Sequence, residues 1–116
     1  MTSAAEAQVT VRYEGGSPQN ELWGGTQANF VVTAPGQHQR EVAVLLPEAV
    51  ATYLAEAVGR EDRPEFHMAA AREAGQCYLE RLLRSGKHIA PFLMLSRAVL
   101  DADPGLLAEL KDRLRG

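Results

Sequence analysis

The stretch that decides the fold class is REVAVLLPEAVATYLAEAVG, residues 40–59, because its pattern changes from strand to helix at a single proline. Residues 40–46 predict a strand, because the charged pair Arg40 and Glu41 is followed by a continuous apolar run at residues 42–46 that contains two β-branched valines. Pro47 suits the first turn of a helix, since its φ is fixed and its missing N–H needs no partner there. Apolar side chains then recur at helical spacing up to Val58, and Gly59 is placed to end the helix. This stretch therefore predicts a strand followed directly by a helix.

Upstream of this stretch, residues 8–13 predict a half-buried strand. Apolar and polar side chains alternate there, which gives the strand one apolar face formed by Val9, Val11 and Tyr13. The following EGGSP, residues 14–18, indicates the end of that strand, because adjacent glycines and a proline commonly mark turns. We expect residues 1–7 to be disordered.

A second predicted strand, residues 28–33, precedes the strand at 40–46. Residues 34–39, APGQHQ, lie between the two and contain a Pro-Gly step, so the pair is predicted to form an antiparallel hairpin. Residues 21–26 fit either a short strand or a bulge, since two adjacent glycines are compatible with both. The N-terminal part of the chain thus predicts a sheet of three strands.

Residues 63–85 predict a second, longer helix that ends at Gly86. Asp62 and Glu65 have the spacing of a capping box, in which the first side chain accepts a hydrogen bond from a backbone amide of the first turn. One stripe of the helix is apolar and consists of Phe66, Ala70, Ala74, Cys77 and Tyr78. Small residues flank this stripe at Ala69, Ala71 and Gly75, and they allow another backbone to approach closely. We therefore expect the helix to cross a neighbouring element or a second copy of itself.

Residues 88–96, HIAPFLMLS, are the most apolar run in the chain and fit either a buried strand or a third helix. The apolar pattern continues beyond Pro91 to Leu100, which favours the helix. Asp103 and Pro104 then supply the N-cap and the first turn of a final helix. The expected fold is a single α+β domain over residues 1–116, with a small three-stranded, mainly antiparallel N-terminal sheet followed by three to four packed helices.

The composition of the chain limits its possible functions. Of its 116 residues 46% are hydrophobic, which is enough for one buried core, and its formal charge of −3 argues against a strongly basic nucleic-acid-binding protein. The N-terminal MTSAAEAQ has the features of neither a secretory signal nor a transit peptide, and no apolar run is long enough to span a membrane. We therefore expect a cytoplasmic protein that does not bind membranes.

Cys77 and the histidines His67 and His88 are the residues that could centre an enzyme active site. The sequence contains no metal-ligand spacing such as Cys-x-x-Cys, and His67 and Cys77 would lie about 15 Å apart along one helix. Cys77 is on the predicted apolar face, where desolvation raises the pKa of a thiol instead of lowering it. We predict no catalytic residue, no cofactor and no metal. A small enzyme built on Cys77 or a histidine is the third hypothesis.

A short basic group supports a second hypothesis, that of a nucleic-acid-associated regulator. The group consists of Arg81, Arg84, Lys87 and His88, most of which share one helical face. Such residues can contact phosphates, but no aromatic side chains lie among them to stack on bases. Basic residues also favour the last turn of a helix because they oppose its dipole. We expect this dipole effect to explain the group, with Glu80 paired to Arg84.

The hypothesis that we favour rests on apolar side chains in excess of what one core can bury. Phe92, Leu93, Met94 and Leu95 are consecutive, and four such side chains cannot all face one core from a surface helix. Trp23, next to two glycines in a predicted loop, is a further candidate contact residue. We predict a non-enzymatic protein-interaction module of the regulator, adaptor, immunity or inhibitor type. Its partner is another protein of unknown identity, and it forms a homodimer through its C-terminal helices.

Overall fold

The computed structural model describes residues 10–20, 24–33 and 38–115, without the side chains of residues 17–20. Its elements in chain order are β1 (Thr10–Asn20), β2 (Gly25–Thr33), β3 (Arg40–Pro47), α1 (Glu48–Val58), α2 (Pro64–Arg84), β4 (Phe92–Met94), α3 (Arg97–Ala102) and α4 (Pro104–Arg115). Several sequence predictions lie outside the described residues: the disorder of residues 1–7, the position of Val9, and the Pro-Gly step of the hairpin at residues 34–37.

The four strands form one mixed sheet in the order β1-β2-β3-β4. β1, β2 and β3 pair antiparallel, whereas β4 runs parallel to β3. The predicted hairpin is confirmed, since Val32 pairs with Arg40 and Gly25 pairs with Pro47 at its two ends. The α+β class is therefore confirmed, but the predicted three-stranded, mainly antiparallel sheet is wrong in its number of strands, because a fourth strand, parallel to β3, completes a mixed sheet.

Residues 88–96, for which the sequence favoured a helix, instead contain β4. The Ala43 N–H donates to the Pro91 carbonyl and the Leu95 N–H donates to the Leu45 carbonyl, each at 2.9 Å. These bonds satisfy backbone groups on the outer side of β3, which a helix at the same place would leave without strand partners. α1 and α2 supply the long connection that a parallel pair of strands requires.

β1 continues through residues 14–18, where the sequence predicted its end. A bulge between Tyr13 and Gly15 disturbs the register, and Gly15 has a φ of +108°. Gly16 lies so close to the Gln27 carbonyl that a Cβ atom would overlap it. A proline is tolerated in this strand because β1 is at the edge of the sheet. Glycine and proline therefore shape an edge strand here and do not end it.

The boundaries of α1 and α4 follow the sequence prediction closely. α1 begins directly after Pro47, and Gly59 ends it with a left-handed φ of 70°. α4 begins at Pro104, where the Leu106 N–H donates to Asp103 Oδ1 at 3.1 Å, so Asp103 caps the helix as predicted. Proline at the start and glycine at the end make both boundaries of α1 visible in the sequence, and Asp103 with Pro104 marks the start of α4.

The predicted capping box of α2 is wrong. The N-cap residue is Arg63, which makes no side-chain cap hydrogen bond. The Asp62 carboxylate instead accepts from the Thr52 hydroxyl at 2.9 Å and contacts His67 Nε2. Pro64 at the first helical position removes one of the amides that a cap would satisfy, which weakens the need for one.

α2 lies across one face of the sheet, and its small residues allow the close approach that the sequence predicted. A Cβ atom at Gly75 would lie 2.5 Å from Phe30 Cε1, so only glycine lets this ring of β2 rest against the helix. Phe30 also meets Tyr13 of β1 edge-on, with ring centroids 5.6 Å apart. The buried leucines of α4 join the same hydrophobic cluster. The core therefore lies between this face of the sheet and the helices.

Candidate functional site

The C-terminal apolar run divides between two environments. Leu95 is fully buried, and Leu93 packs against the core from a half-buried position. Phe92 and Met94 alternate with them and are 39% and 43% exposed; they are the exposed large hydrophobic side chains of the described residues. We call Phe92 and Met94 the β4 surface. This division arises because successive side chains of a strand point to opposite faces of the sheet. Trp23, the other predicted contact residue, lies outside the described residues.

The backbone of β4 adds to this surface, because β4 is an edge of the sheet. In a parallel pair, alternate residues of a strand bond to a given neighbour. Pro91 and Leu95 bond to β3, so Met94 directs its backbone N–H and C=O away from β3. Met94 thus combines an exposed apolar side chain with outward-facing backbone groups, which is the arrangement that invites pairing with another chain.

The opposite edge of the sheet, β1, has different chemistry. Gln76 Nε2 of α2 donates to the Val11 carbonyl at 2.9 Å, so α2 provides a partner for this strand from outside the sheet. Arg12 and Glu14 form an exposed ion pair along the strand at 2.6 Å. The two edges therefore contrast: β1 carries charges and bonds to a helix, and β4 is apolar.

The predicted basic group does not form a set of free positive charges. Arg81 Nε and Nη2 donate to the two carboxylate oxygens of Asp103 at 3.0 and 3.1 Å, and Nη1 is 3.4 Å from Glu109 Oε1. The hydrogen bond with Asp103 is the main reason that the pKa of Arg81 is raised. The exposed members of the group are Arg84, Lys87 and His88. Sequence reasoning missed the partners of Arg81 because they lie on another helix.

A charged network joins α2 to α4. Arg113 of α4 lies 2.8 Å from Glu109, and it also reaches Glu73 at 3.5 Å and Glu80 at 3.6 Å on α2. Glu80, which the sequence predicted to pair with Arg84, instead forms an ion pair with Arg113. Only the Glu109–Arg113 spacing of four residues is visible in the sequence; the contacts between the helices depend on the tertiary fold.

Cys77 has the properties of a structural thiol. Its side chain is buried at 1% exposure, and its Sγ donates to Glu109 Oε2 at 3.6 Å. Burial is the largest cause that raises the pKa of Cys77 to about 12, as the sequence predicted in direction. The thiol is therefore protonated near neutral pH, whereas a cysteine nucleophile must be in the thiolate form.

His67 belongs to a small polar cluster with Asp62 and Thr52. The cluster contains the residue types of a hydrolytic triad, but the connections differ: Asp62 accepts from the Thr52 hydroxyl and also contacts the His67 imidazole. The hydroxyl therefore faces the carboxylate and not the imidazole that would have to deprotonate it. Two hydrogen bonds lower the pKa of Asp62: the one with His67 has the larger effect, and the one with Thr52 has the next largest. This arrangement fastens α1 to the start of α2.

Residues 10–20, 24–33 and 38–115 contain no group of three His, Cys, Asp or Glu side chains that could hold a metal ion. The helices of this part of the chain include none with the length and hydrophobicity needed to cross a membrane. Comparisons with protein-family models, with curated proteins and with solved structures find no match. The function proposed below therefore depends on the geometry of the chain alone.

Proposed function

We propose that this chain is a non-enzymatic protein-interaction module and that it forms a homodimer through the β4 surface. The observation that carries the proposal is the exposure of Phe92 and Met94, at 39% and 43%, on an edge strand. Aromatic and methionine side chains are enriched at protein interfaces, where they contribute large apolar area. A second copy offers the same surface, as a two-fold symmetric contact requires.

The titratable side chains support a role in binding over one in catalysis. The Cys77 thiol is buried, has a pKa raised to about 12 and donates to Glu109. The His67 imidazole is engaged by Asp62, which fixes two helices to each other. Cys77 and His67, two of the three residues that the sequence offered for an enzyme, thus have contacts that explain them structurally.

The size of the β4 surface sets the expected strength of the dimer. Two side chains bury far less than the roughly 1,200 Å² at the lower end of stable interfaces. We therefore expect weak association, with a dissociation constant between about 1 μM and about 1 mM. Such a dimer exchanges readily, which suits a module that also contacts another protein through the same edge.

Analytical ultracentrifugation over about 1 μM to 1 mM protein tests the proposal. The unchanged chain should increase in average mass with concentration, whereas Met94→Glu should remain a monomer. Ala108→Glu, which adds the same charge at an exposed position of α4, should associate like the unchanged chain. A monomer at every concentration, or unchanged association of Met94→Glu, would contradict the proposal. Salt-sensitive DNA binding that Arg84→Gln and Lys87→Gln abolish would support the nucleic-acid-associated regulator instead.

A further inference from the structure

A cleft of about 320 Å³ lies between the start of β3 and the segment that precedes β4. It is lined by Arg40, Glu41, Val42, His88, Ile89 and Pro91. Its volume is at the lower end of the range of about 300–1,000 Å³ found for small-molecule sites. The cleft thus has room for a small ligand or for the end of a peptide.

Arg40 gives the cleft an oriented positive charge. Its Nη1 donates to the Ile89 carbonyl at 3.2 Å, which holds the half-buried side chain across the gap between β3 and residue 89. Among the described residues, no carboxylate oxygen lies within ion-pair distance of this guanidinium, in contrast to Arg81 and Arg113. A guanidinium has five N–H groups, so those not used by Ile89 remain to bind a planar anion such as a carboxylate.

The other lining residues determine which chemical group can be attached to the bound anion. Val42 and Ile89 are buried at 2% and 1% exposure, and Pro91 is the exposed apolar residue of the lining. The His88 imidazole is exposed at the rim. Glu41 is the carboxylate among the lining residues, and it follows Arg40 in β3, so its side chain projects from the opposite face of the strand.

We propose that this cleft binds a carboxylate that is attached to an apolar group. The carboxylate would accept hydrogen bonds from Arg40, and the apolar group would pack on Pro91, the exposed apolar residue of the lining. A free small acid and the C-terminal carboxylate of a peptide that ends in an apolar residue share this chemistry. The inference concerns a different surface from the β4 contact and does not depend on the proposed function.

Titration followed by ¹H–¹⁵N NMR tests the proposal with N-acetylleucine and its uncharged analogue N-acetylleucinamide. The acid should shift the amide signals of Val42, His88 and Ile89 in a saturable way, and the amide should bind at least about tenfold more weakly, since a charge-assisted hydrogen bond contributes about that factor or more. Equal shifts with both compounds, or shifts spread over the whole chain, would overturn the proposal. An acetylated peptide ending in leucine, compared with N-acetylleucine, identifies the source: tighter binding of the peptide favours a chain terminus, and equal or weaker binding favours a free acid.

Three variants test whether N-acetylleucine binds at Arg40. Arg40→Gln should weaken binding of N-acetylleucine at least about tenfold, whereas Arg84→Gln, at the exposed end of α2, should leave it unchanged. Glu41→Gln retains Arg40 and removes the nearby negative charge, so it should strengthen binding even if Arg40→Gln alters the local structure. Weaker or unchanged binding in Glu41→Gln, or unchanged binding in Arg40→Gln, would contradict the site.

Discussion

The two edge strands of the sheet, β1 and β4, differ in their contacts and in the chemistry of their exposed side chains. At β1, Gln76 of α2 donates to the Val11 carbonyl, and the Arg72 guanidinium lies 4.9 Å from the centre of the Tyr13 ring. At β4, the side chains at the edge are apolar and exposed. Edge strands attract other chains, and proteins commonly protect them with charges, bulges or a covering helix. Among the described residues, such protection is present at β1, and the exposed apolar side chains at β4 are what the proposed contact would cover.

The β1 edge depends on its fit against α2, and the largest expected effect comes from breaking that fit. In Gly75→Val, the new side chain meets the Phe30 ring, which the Tyr13 ring also contacts. Overpacking of this kind costs about 1–3 kcal/mol of the free energy of unfolding. Urea denaturation measures the loss, which should appear even though valine favours a helix more than glycine does; Ala69→Val, at an exposed position of the same helix, shows the cost of a valine that meets no ring. A Gly75→Val variant that is as stable as the unchanged protein, or more stable, would show that the close approach at Gly75 is unimportant.

A smaller effect is expected from the hydrogen bond that covers β1. Gln76→Met keeps the length of the side chain and removes the donor to the Val11 carbonyl, and with it the hydrogen bond from the same Nε2 to Glu80 Oε2 at 3.0 Å. The free energy of unfolding should fall by about 1–2 kcal/mol, since one such bond usually contributes about 1 kcal/mol. Urea denaturation of this variant should show the change, and faster amide exchange in β1 should accompany it. An unaltered exchange rate in β1 would mean that Gln76 does not protect this edge.

The smallest effect on stability is expected at β4. Met94→Glu replaces an exposed side chain, so the free energy of unfolding of the monomer should change by no more than about 0.5 kcal/mol. The measurement is made by urea denaturation at low protein concentration, where association does not contribute. A loss comparable to that in Gly75→Val would mean that Met94 is part of the core, and the contrast between the two edges would then fail.

Much of this fold could be predicted from local patterns. Pro47 and Gly59 mark the ends of α1, and Asp103 marks the start of α4, because caps and breakers act within a few residues. The short strand at residues 92–94 could not be predicted, since its pairing with residues 43–45 depends on two intervening helices. Likewise, the continuation of β1 through residues 14–18 could not be predicted, because glycines and a proline occur both in turns and in bulged edge strands.

The candidate site was predicted in part. The excess of apolar side chains at residues 92–95 is visible in the sequence, and Phe92 and Met94 are exposed, but these residues form a strand and not the helix that the sequence favoured. The pairing of Arg81 with Asp103 and Glu109 was missed, because these residues are 22 and 28 positions apart and meet only when α2 and α4 pack. Arg40 was overlooked for the same reason, since its cleft is completed by residues 88–91.

Hydrogen–deuterium exchange at low and high protein concentration tests most directly whether β4 is the contact edge. The peptide that spans residues 88–96 should take up less deuterium at about 1 mM than at about 1 μM, because a second copy covers the outward-facing amide of Met94. The peptide that spans residues 10–16 should exchange equally at both concentrations, and Met94→Glu should abolish the change in residues 88–96. Equal exchange of residues 88–96 at both concentrations, or protection that develops in β1 instead, would contradict the account.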